Sequence, residues 1–204
     1  LYAYCRNNPI NMEDGGGNWP GLLRTGLKLY LVTAKMSVDN TRKQLSKVNV
    51  TQTFGFSGGY SHSYVSVSKQ IGVAMDTKGN ITFQRSKSIG TTTSAMPSAY
   101  ITKSHSYSNA PSVNKLEGIG ASAGIGATIQ PPTPFSVLMG LQYDNIPDSK
   151  NNTSYHGATW SQGIGTPGAG LDGYVSLSNT TSGGTINVFD TFDSFYEKAR
   201  KWLW

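Results

Sequence analysis

The stretch Thr51–Ser68, TQTFGFSGGYSHSYVSVS, decides the fold, because apolar and polar side chains alternate along it with a period of two. Successive residues of a β-strand point to opposite faces of a sheet, so this period is typical of a strand. Phe54 and Phe56 fall on one face, and Gly58-Gly59 separates them from a second alternating run that begins at Tyr60. We predict two antiparallel strands joined by a turn at the glycine pair.

A second hairpin is indicated by the short polar segment Asp76–Asn80, DTKGN, which lies between two further alternating runs, Ile71–Met75 and Ile81–Ile89. An aspartate at the start of such a loop accepts hydrogen bonds from nearby backbone N–H groups. Gly79 supplies the positive φ that a hairpin with a bulge requires. The segment therefore predicts a tight connection between two antiparallel strands.

The period of two continues to about Asn187 and predicts five more strands. In the segment Gly118–Gln130, isoleucine and alanine occupy one face, whereas glycine, serine and threonine occupy the other. Glycine at alternate positions permits strong coiling and close approach of backbones, which a sheet needs in order to close on itself. The five predicted strands are Ala95–Ser108, Gly118–Gln130, Phe135–Tyr143, Tyr155–Gly165 and Gly173–Asn179.

Residues 49–187 as a whole fit one mainly all-β domain. Roughly eight to ten short strands with no helix between them favour a glycine-rich, antiparallel, up-and-down β-barrel. Closure of the barrel would remove the exposed sheet edges. The composition agrees, since only 14% of the residues are charged and 24 are glycine. A two-sheet β-sandwich is the alternative fold.

Residues 20–48 and 188–204 carry helical rather than strand periodicity. In the first segment apolar residues recur at steps of three and four beside a row of cations, which predicts a basic amphipathic helix. It would either lie on an anionic membrane surface or serve as a linker that docks on the next domain. The second segment predicts an aromatic helix packed on the barrel. The predicted membrane or partner contacts are Arg24, Lys28, Lys35, Arg42, Trp202 and Trp204.

The formal net charge of +6 is concentrated near the start of the chain. Residues 21–48 contain six lysines and arginines and one acidic residue, Asp39, so the remainder is nearly neutral. Nucleic-acid binding requires a basic stripe on the folded body, and this distribution argues against such a partner. The single cysteine, Cys5, excludes an intrachain disulfide. No apolar run reaches the roughly 18 residues that a spanning helix requires.

The candidate catalytic residues are the three histidines, His62, His105 and His156, which all fall in predicted strands. A histidine acts as a general acid or base when a carboxylate or a second histidine lies within hydrogen-bond reach. His62 and His105 would form a two-histidine nuclease site if both pointed into one cavity. The cations near a bound phosphate would then be Arg85, Lys87 or Lys103. The spacing of cysteine, histidine and acidic residues predicts no metal site, and no cofactor motif is present.

The outward faces of the predicted strands decide between a soluble and a membrane-spanning barrel. A spanning strand needs about 9 to 11 residues and a consistently apolar outward face. The run that begins at Tyr60 is largely polar, and Arg85 and Lys87 lie in line with Ile81 and Phe83. This pattern favours a soluble barrel over a permanently inserted porin. Insertion of a soluble form into a target membrane stays open as an alternative.

The first seventeen residues, LYAYCRNNPINMEDGGG, resemble the closing motif of an RHS/YD-repeat core domain, which has the form LYxYxxNNPxNxxDPxG. The resemblance implies that the chain is the variable C-terminal region of a much larger secreted or surface-displayed polymorphic toxin. It also implies a cognate immunity protein as partner. The residues that match the motif are Leu1, Tyr2, Tyr4, Asn7, Asn8, Pro9, Asn11 and Asp14.

Three functional hypotheses follow from the resemblance and the residue patterns. The first is a toxin effector that acts without an evident catalytic motif, with membranes among its targets. The second is a nuclease or other hydrolase that uses the strand histidines. The third is a non-toxic adhesive or ligand-binding barrel whose lumen holds a small hydrophobic molecule.

Overall fold

The computed structural model of the protein describes residues 19–94, 97–148 and 151–204. Their contacts divide into a helical unit, which contains residues 19–44 and 188–204, and a barrel unit of residues 45–187. The RHS-like motif at residues 1–17 lies outside the described residues, so the predicted core remnant stays a prediction.

Eight strands form the barrel unit, and each pairs with two antiparallel neighbours so that the sheet closes on itself. The closed antiparallel β-barrel predicted from the sequence is therefore confirmed, and the β-sandwich is not formed. The strands are β1 Thr51–His62, β2 Val65–Asp76, β3 Asn80–Thr92, β4 Ser98–Ser108, β5 Gly118–Ile129, β6 Ser136–Asp148, β7 Thr153–Gly165 and β8 Gly170–Asn187.

The order of the strands around the barrel is β1-β2-β3-β8-β5-β6-β7-β4. β4 returns beside β1 and β8 returns beside β5, so each half of the chain forms a Greek key with the spatial order 4-1-2-3. The consecutive order expected of an up-and-down barrel is therefore wrong at three connections. These connections, from β3 to β4, from β4 to β5 and from β7 to β8, join strands that are not neighbours.

The strand register fixes the tilt of the strands. A row of paired residues, followed once around the barrel from Ile81 on β3, returns to β3 at Thr91. The displacement of ten residues along β3 is the shear number of the barrel. With a rise of about 3.3 Å and a strand spacing of about 4.8 Å, eight strands with this shear tilt by roughly 40°. The row is Ile81, Met75, Gln52, Tyr107, Ala158, Tyr143, Ala123, Val175 and Thr91.

The two predicted hairpins had different outcomes. The turn expected at Gly58-Gly59 is wrong, because β1 continues through both glycines and the chain reverses at Ser63 and Tyr64, whose φ angles are 49° and 69°. The hairpin at Asp76–Asn80 is confirmed. Gly79 has a φ of 83°, and Asp76 Oδ1 accepts hydrogen bonds from the N–H groups of Lys78 and Asn80, both at 2.9 Å.

One end of the barrel is covered by residues 109–117, which we call the plug. The plug contains a short 3-10 helix, Val113–Leu116, and its apolar residues are buried against Ala74 on β2. Val113 N donates to Asp76 Oδ2 at 3.1 Å, and Thr51 Oγ1 donates to the carbonyl of Ala110 at 2.8 Å. Apolar packing and polar contacts therefore both anchor the plug to this end, which we call the plug end.

The helical unit contains α1, Trp19–Leu45, and α2, Val188–Leu203. Arg24 Nε donates to the carbonyl of Leu203 at 2.7 Å, whereas Arg42 lies 3.0 Å from a carboxylate oxygen of Asp193. The start of α1 thus meets the end of α2, and the two helices run antiparallel. Within residues 19–94, 97–148 and 151–204, no helix has the length and apolarity needed to cross a membrane.

Candidate functional site

The outer surface of the barrel is predominantly apolar. On each strand, the residues of one alternating set are exposed, and these exposed positions hold the large hydrophobic side chains. The exposed set is Phe54, Phe56, Tyr60, Val65, Val67, Ile71, Val73, Met75, Phe83, Ile89, Ile101, Tyr107, Ile119, Ile125, Ile129, Val137, Met139, Leu141, Tyr143, Trp160, Ile164, Leu171, Val175, Leu177 and Ile186. The interpretation of the outward face as too polar for a membrane is therefore wrong.

The inner surface is lined mainly by serine, threonine, glutamine and glycine. These residues surround a cavity of about 390 Å³. The hypothesis of a ligand-binding barrel therefore stays a prediction. Inner-facing side chains that line the cavity include Ser57, Ser68, Gln70, Ser86, Ser88, Thr102, Ser104, Ser122, Gln142, Thr159, Ser161, Ser176, Ser178 and Thr180.

The inner hydroxyl groups bond to one another across neighbouring strands. A buried hydroxyl without a partner is unfavourable, and these pairs remove that penalty. Gln70 Nε2 adds a longer link by donating to Ser104 Oγ at 2.8 Å. The hydroxyl pairs include Ser57 with Thr102 at 2.6 Å, Ser61 with Ser98 at 2.7 Å and Ser86 with Thr180 at 3.1 Å.

A carboxylate, Asp144 on β6, lies within a cluster of hydrogen-bonded side chains on the inner surface. Its Oδ1 accepts hydrogen bonds from Ser122 Oγ at 2.7 Å and from Gln142 Nε2 at 2.5 Å. Its Oδ2 accepts from Thr159 Oγ1 at 2.6 Å. All three donors are neutral, so they fix the orientation of the carboxylate without cancelling its charge.

Two tyrosines on the inner surface lie flat against glycines of the neighbouring strand. A methyl group at Gly124 would lie 2.5 Å from Cζ of Tyr174 and 2.6 Å from the carbonyl oxygen of Leu141. The ring of Tyr100 covers Gly59 in the same way. These glycines thus serve close packing inside the barrel, and Gly59 is used for this purpose rather than for a turn.

The three candidate histidines lie on the outer face of the barrel. His62 stacks on Tyr60 with ring centroids 6.3 Å apart, and His105 stacks on Phe54 at 4.1 Å. His156 Nδ1 lies 2.6 Å from the hydroxyl of Tyr143. None of the three therefore faces the cavity, and the shared interior site on which the nuclease hypothesis depends is not formed. Across the described residues, no group of three histidine, cysteine or acidic side chains is placed to hold a metal ion.

The charged residues of the outer strand faces are confined to half of the barrel. That half is the Greek key formed by β4, β1, β2 and β3, and its outward charges are all cations. Lys69 and Lys87 are direct cross-strand partners. Among the described residues, the outward faces of β5, β6, β7 and β8 carry no charged side chain. The four outward cations are Lys69, Arg85, Lys87 and Lys103.

Most of the predicted contact residues of the helical unit are engaged within that unit. Lys35 Nζ lies 2.8 Å from Asp193, and Arg42 and Arg24 also bind α2 as described above. Lys28 Nζ lies over the ring of Trp204 at 4.9 Å. Trp202 is exposed over 77% of its surface. The cations of α1 thus hold α2, and their contact with a membrane or partner stays a prediction.

No protein-family model matches this chain, and no curated protein matches it. The chain is similar to the crystal structure of neisserial surface protein A, with 10% identity, a TM-score of 0.30 and coverage of 57% of this chain and 95% of that chain. A de novo designed transmembrane β-barrel gives 8% identity, a TM-score of 0.22 and coverage of 58% and 95%. The N-terminal β-barrel domain of Pseudomonas aeruginosa OprF gives 9% identity, a TM-score of 0.17 and coverage of 66% and 98%. At these scores the similarities carry no argument about function.

Proposed function

We propose that this chain is the C-terminal effector region of an RHS-type polymorphic toxin and that it inserts its β-barrel into a membrane of the target cell. The observation that supports the membrane step is the polarity of the barrel, which is apolar outside and polar inside. A barrel that spans a bilayer needs this arrangement, because lipid tails surround its outer face. A barrel that folds in water is expected to have the reverse arrangement.

The carrier part of the proposal rests on the RHS-like motif at residues 1–17. With such a carrier the chain would be secreted or displayed at the cell surface as the end of a larger exported protein. A cognate immunity protein would protect the producing cell. These statements follow from the resemblance alone, whereas the membrane step follows from the outer face of the barrel.

The balance of energies favours insertion despite the four outward cations. A large apolar side chain contributes roughly 1.5–3 kcal/mol when it passes from full exposure to full burial, and the outward side chains, which are already partly buried, gain a fraction of this. A lysine or arginine on the lipid face costs about 2–4 kcal/mol at the bilayer midplane and less near the interfaces. The exposed apolar side chains outnumber the cations several-fold, so their gain exceeds the penalty.

The dimensions of the barrel also fit a bilayer. β2 contains 12 residues and β6 contains 13. At roughly 3.3 Å per residue and a tilt of roughly 40°, a strand of this length rises about 30 Å along the barrel axis. This rise matches the roughly 30 Å thickness of the hydrocarbon core.

A matched pair of substitutions tests insertion. Leu141 lies near the middle of β6 and Leu171 lies at the far end of β8, opposite the plug end, and both are exposed. We expect Leu141→Lys to lower the inserted fraction at limiting lipid by at least about tenfold, because the midplane penalty is about 2–4 kcal/mol. Leu171→Lys should have little effect, since a cation near the interface costs about 0–1 kcal/mol.

Insertion is measured with the full chain and liposomes, by quenching of tryptophan fluorescence with brominated lipids and by protection of the strands from protease. Circular dichroism in detergent checks that both variants retain the β-barrel. Equal insertion of the two variants, or no insertion of the unmodified chain, would overturn the proposal.

A further inference from the structure

The charge inside the barrel has the opposite sign to the charge of the chain as a whole. The chain contains 17 lysines and arginines and 11 acidic residues, which gives a net charge of +6. The described residues that line the cavity nevertheless include two carboxylates, Asp144 and Asp172, and no lysine, arginine or histidine. The basic residues that give the protein its positive net charge therefore do not line the cavity.

The arrangement of the strands produces this separation. The four strand cations, Lys69, Arg85, Lys87 and Lys103, all occupy outward positions, while both lumen carboxylates occupy inward positions. Because side chains alternate strictly between the faces of a strand, none of these cations reaches the cavity without a shift in register. Among the described residues that line the cavity, Asp144 and Asp172 are therefore the charged side chains.

The two carboxylates are placed along the cavity rather than at one point. Asp144 on β6 is paired with Ser122 of β5, and Asp172 on β8 is paired with Gly126 of the same strand β5. Gly126 lies four residues beyond Ser122. Four residues of a strand span about 13 Å. A cation that moves along the lumen would therefore meet a negative charge both near its middle and near the far end.

The rest of the lining offers oxygen atoms to a cation in transit. Serine and threonine hydroxyls and the side-chain oxygen of Gln142 surround Asp144. Polar oxygens of this kind replace part of the hydration shell of an ion, and acidic side chains in a pore select for cations. An anion would meet no positively charged side chain among the described lining residues.

We propose that the lumen of the inserted barrel conducts small cations in preference to anions, with Asp144 as the principal selectivity residue and Asp172 as a second. This inference rests on the proposed membrane insertion. The plug limits access at one end, since Val113 and Leu116 are buried there. A variant with a loosened plug, Val113→Gly with Leu116→Gly, therefore accompanies the unmodified chain in the test.

The test measures reversal potentials of the full chain in planar lipid bilayers with a gradient of potassium chloride. We expect a potassium-to-chloride permeability ratio above one. Asp144→Asn should lower the ratio roughly two- to fivefold, the effect of one charge at short range in a water-filled lumen. Asp144→Asn combined with Asp172→Asn should bring the ratio close to one, whereas Asp144→Glu should retain the preference for cations.

The matched control is Lys87→Gln, which removes an outward charge and should leave the ratio unchanged. Insertion is measured in parallel by tryptophan quenching, so that the two proposals fail separately. If the chain inserts but neither the unmodified nor the loosened-plug form conducts, the inference is overturned and the membrane proposal stands. A preference for chloride, or an unchanged ratio in Asp144→Asn, overturns it equally. Failure to insert overturns both.

Discussion

Asp76 shows how much one buried carboxylate contributes to this barrel. Only 8% of its surface is exposed, and it accepts hydrogen bonds from Lys78 N, Asn80 N and Asn80 Nδ2, each at 2.9 Å, and from Val113 N. The first three bonds shape the β2–β3 hairpin, whereas the fourth anchors the plug. The hairpin bonds were predictable from the local pattern DTKGN. The plug contact was not, because it joins residues that are far apart in the sequence.

Replacement of this side chain should weaken both the hairpin and the plug. We expect Asp76→Ala to destabilise the barrel by about 2–4 kcal/mol, because several buried N–H groups lose their acceptor. Asp39→Ala is the control, since Asp39 forms an exposed pair with Lys35 within one helix that is worth about 0.3–0.5 kcal/mol. Thermal unfolding in detergent, followed by circular dichroism in the β-strand region, measures the difference. Equal midpoints for the two variants would contradict this role of Asp76.

At the scale of the elements, the strand segments were largely predictable and their inward and outward faces were not. β5 was expected at Gly118–Gln130 and lies at Gly118–Ile129. β8 extends well beyond the predicted Gly173–Asn179, because the serine, threonine and glycine residues that follow pair with β3 without any apolar alternation. A period of two defines two faces but does not state which one points inward. Arg85 and Lys87 therefore suggested a water-facing surface.

The pairing of α1 with α2 should depend on pH at both extremes. The hydrogen bond from Lys35 and the neighbouring Arg42 lower the pKa of Asp193 below its ordinary value near 3.8. The contribution of Asp193 is therefore present above that ordinary value and is lost as the pH falls through the lowered pKa. Hydrogen bonds to Asp193 and Asp39 raise the pKa of Lys35 above 10.5, so its contribution disappears only as the pH rises through that raised value.

We therefore expect the helical unit to be uniformly protected between about pH 5 and 9 and to loosen below about pH 4. The effect is about 0.5–1 kcal/mol, because both side chains are partly exposed and water screens the pair. Hydrogen exchange of the α2 backbone across this pH range measures it. Asp193→Asn should show reduced protection at neutral pH, and its protection should change less as the pH falls below about 5. If this variant loses protection at acid pH as steeply as the unmodified chain, the loosening is caused by other titratable groups.

For the whole molecule, the order of the strands is the feature that local sequence patterns do not specify. Hairpins such as β1–β2 join neighbours, but the placement of β4 beside β1 and of β8 beside β5 is a pairing across long stretches of chain. This order divides the barrel into a Greek key with four outward cations and a Greek key with none. The second half is therefore the part of the outer face best suited to lipid tails, and under the proposed insertion the first half would carry the cost of placing the four cations in lipid.

This division leads to a prediction that separates a membrane effector from a hydrolase. With the chain exported to the periplasm of a bacterium, we expect loss of membrane potential, measured with a voltage-sensitive dye. The triple variant His62→Ala, His105→Ala and His156→Ala should retain this effect, since no histidine faces the lumen. Leu141→Lys, on the half without charges, should reduce it by at least about tenfold, as expected from the midplane penalty. Immunoblots of the membrane and soluble fractions check that the variants accumulate equally. Growth of the same cells measures toxicity. If the histidine variant loses its toxicity, while cells that export Leu141→Lys are still killed with their membrane potential intact, the result would instead support hydrolysis by the strand histidines.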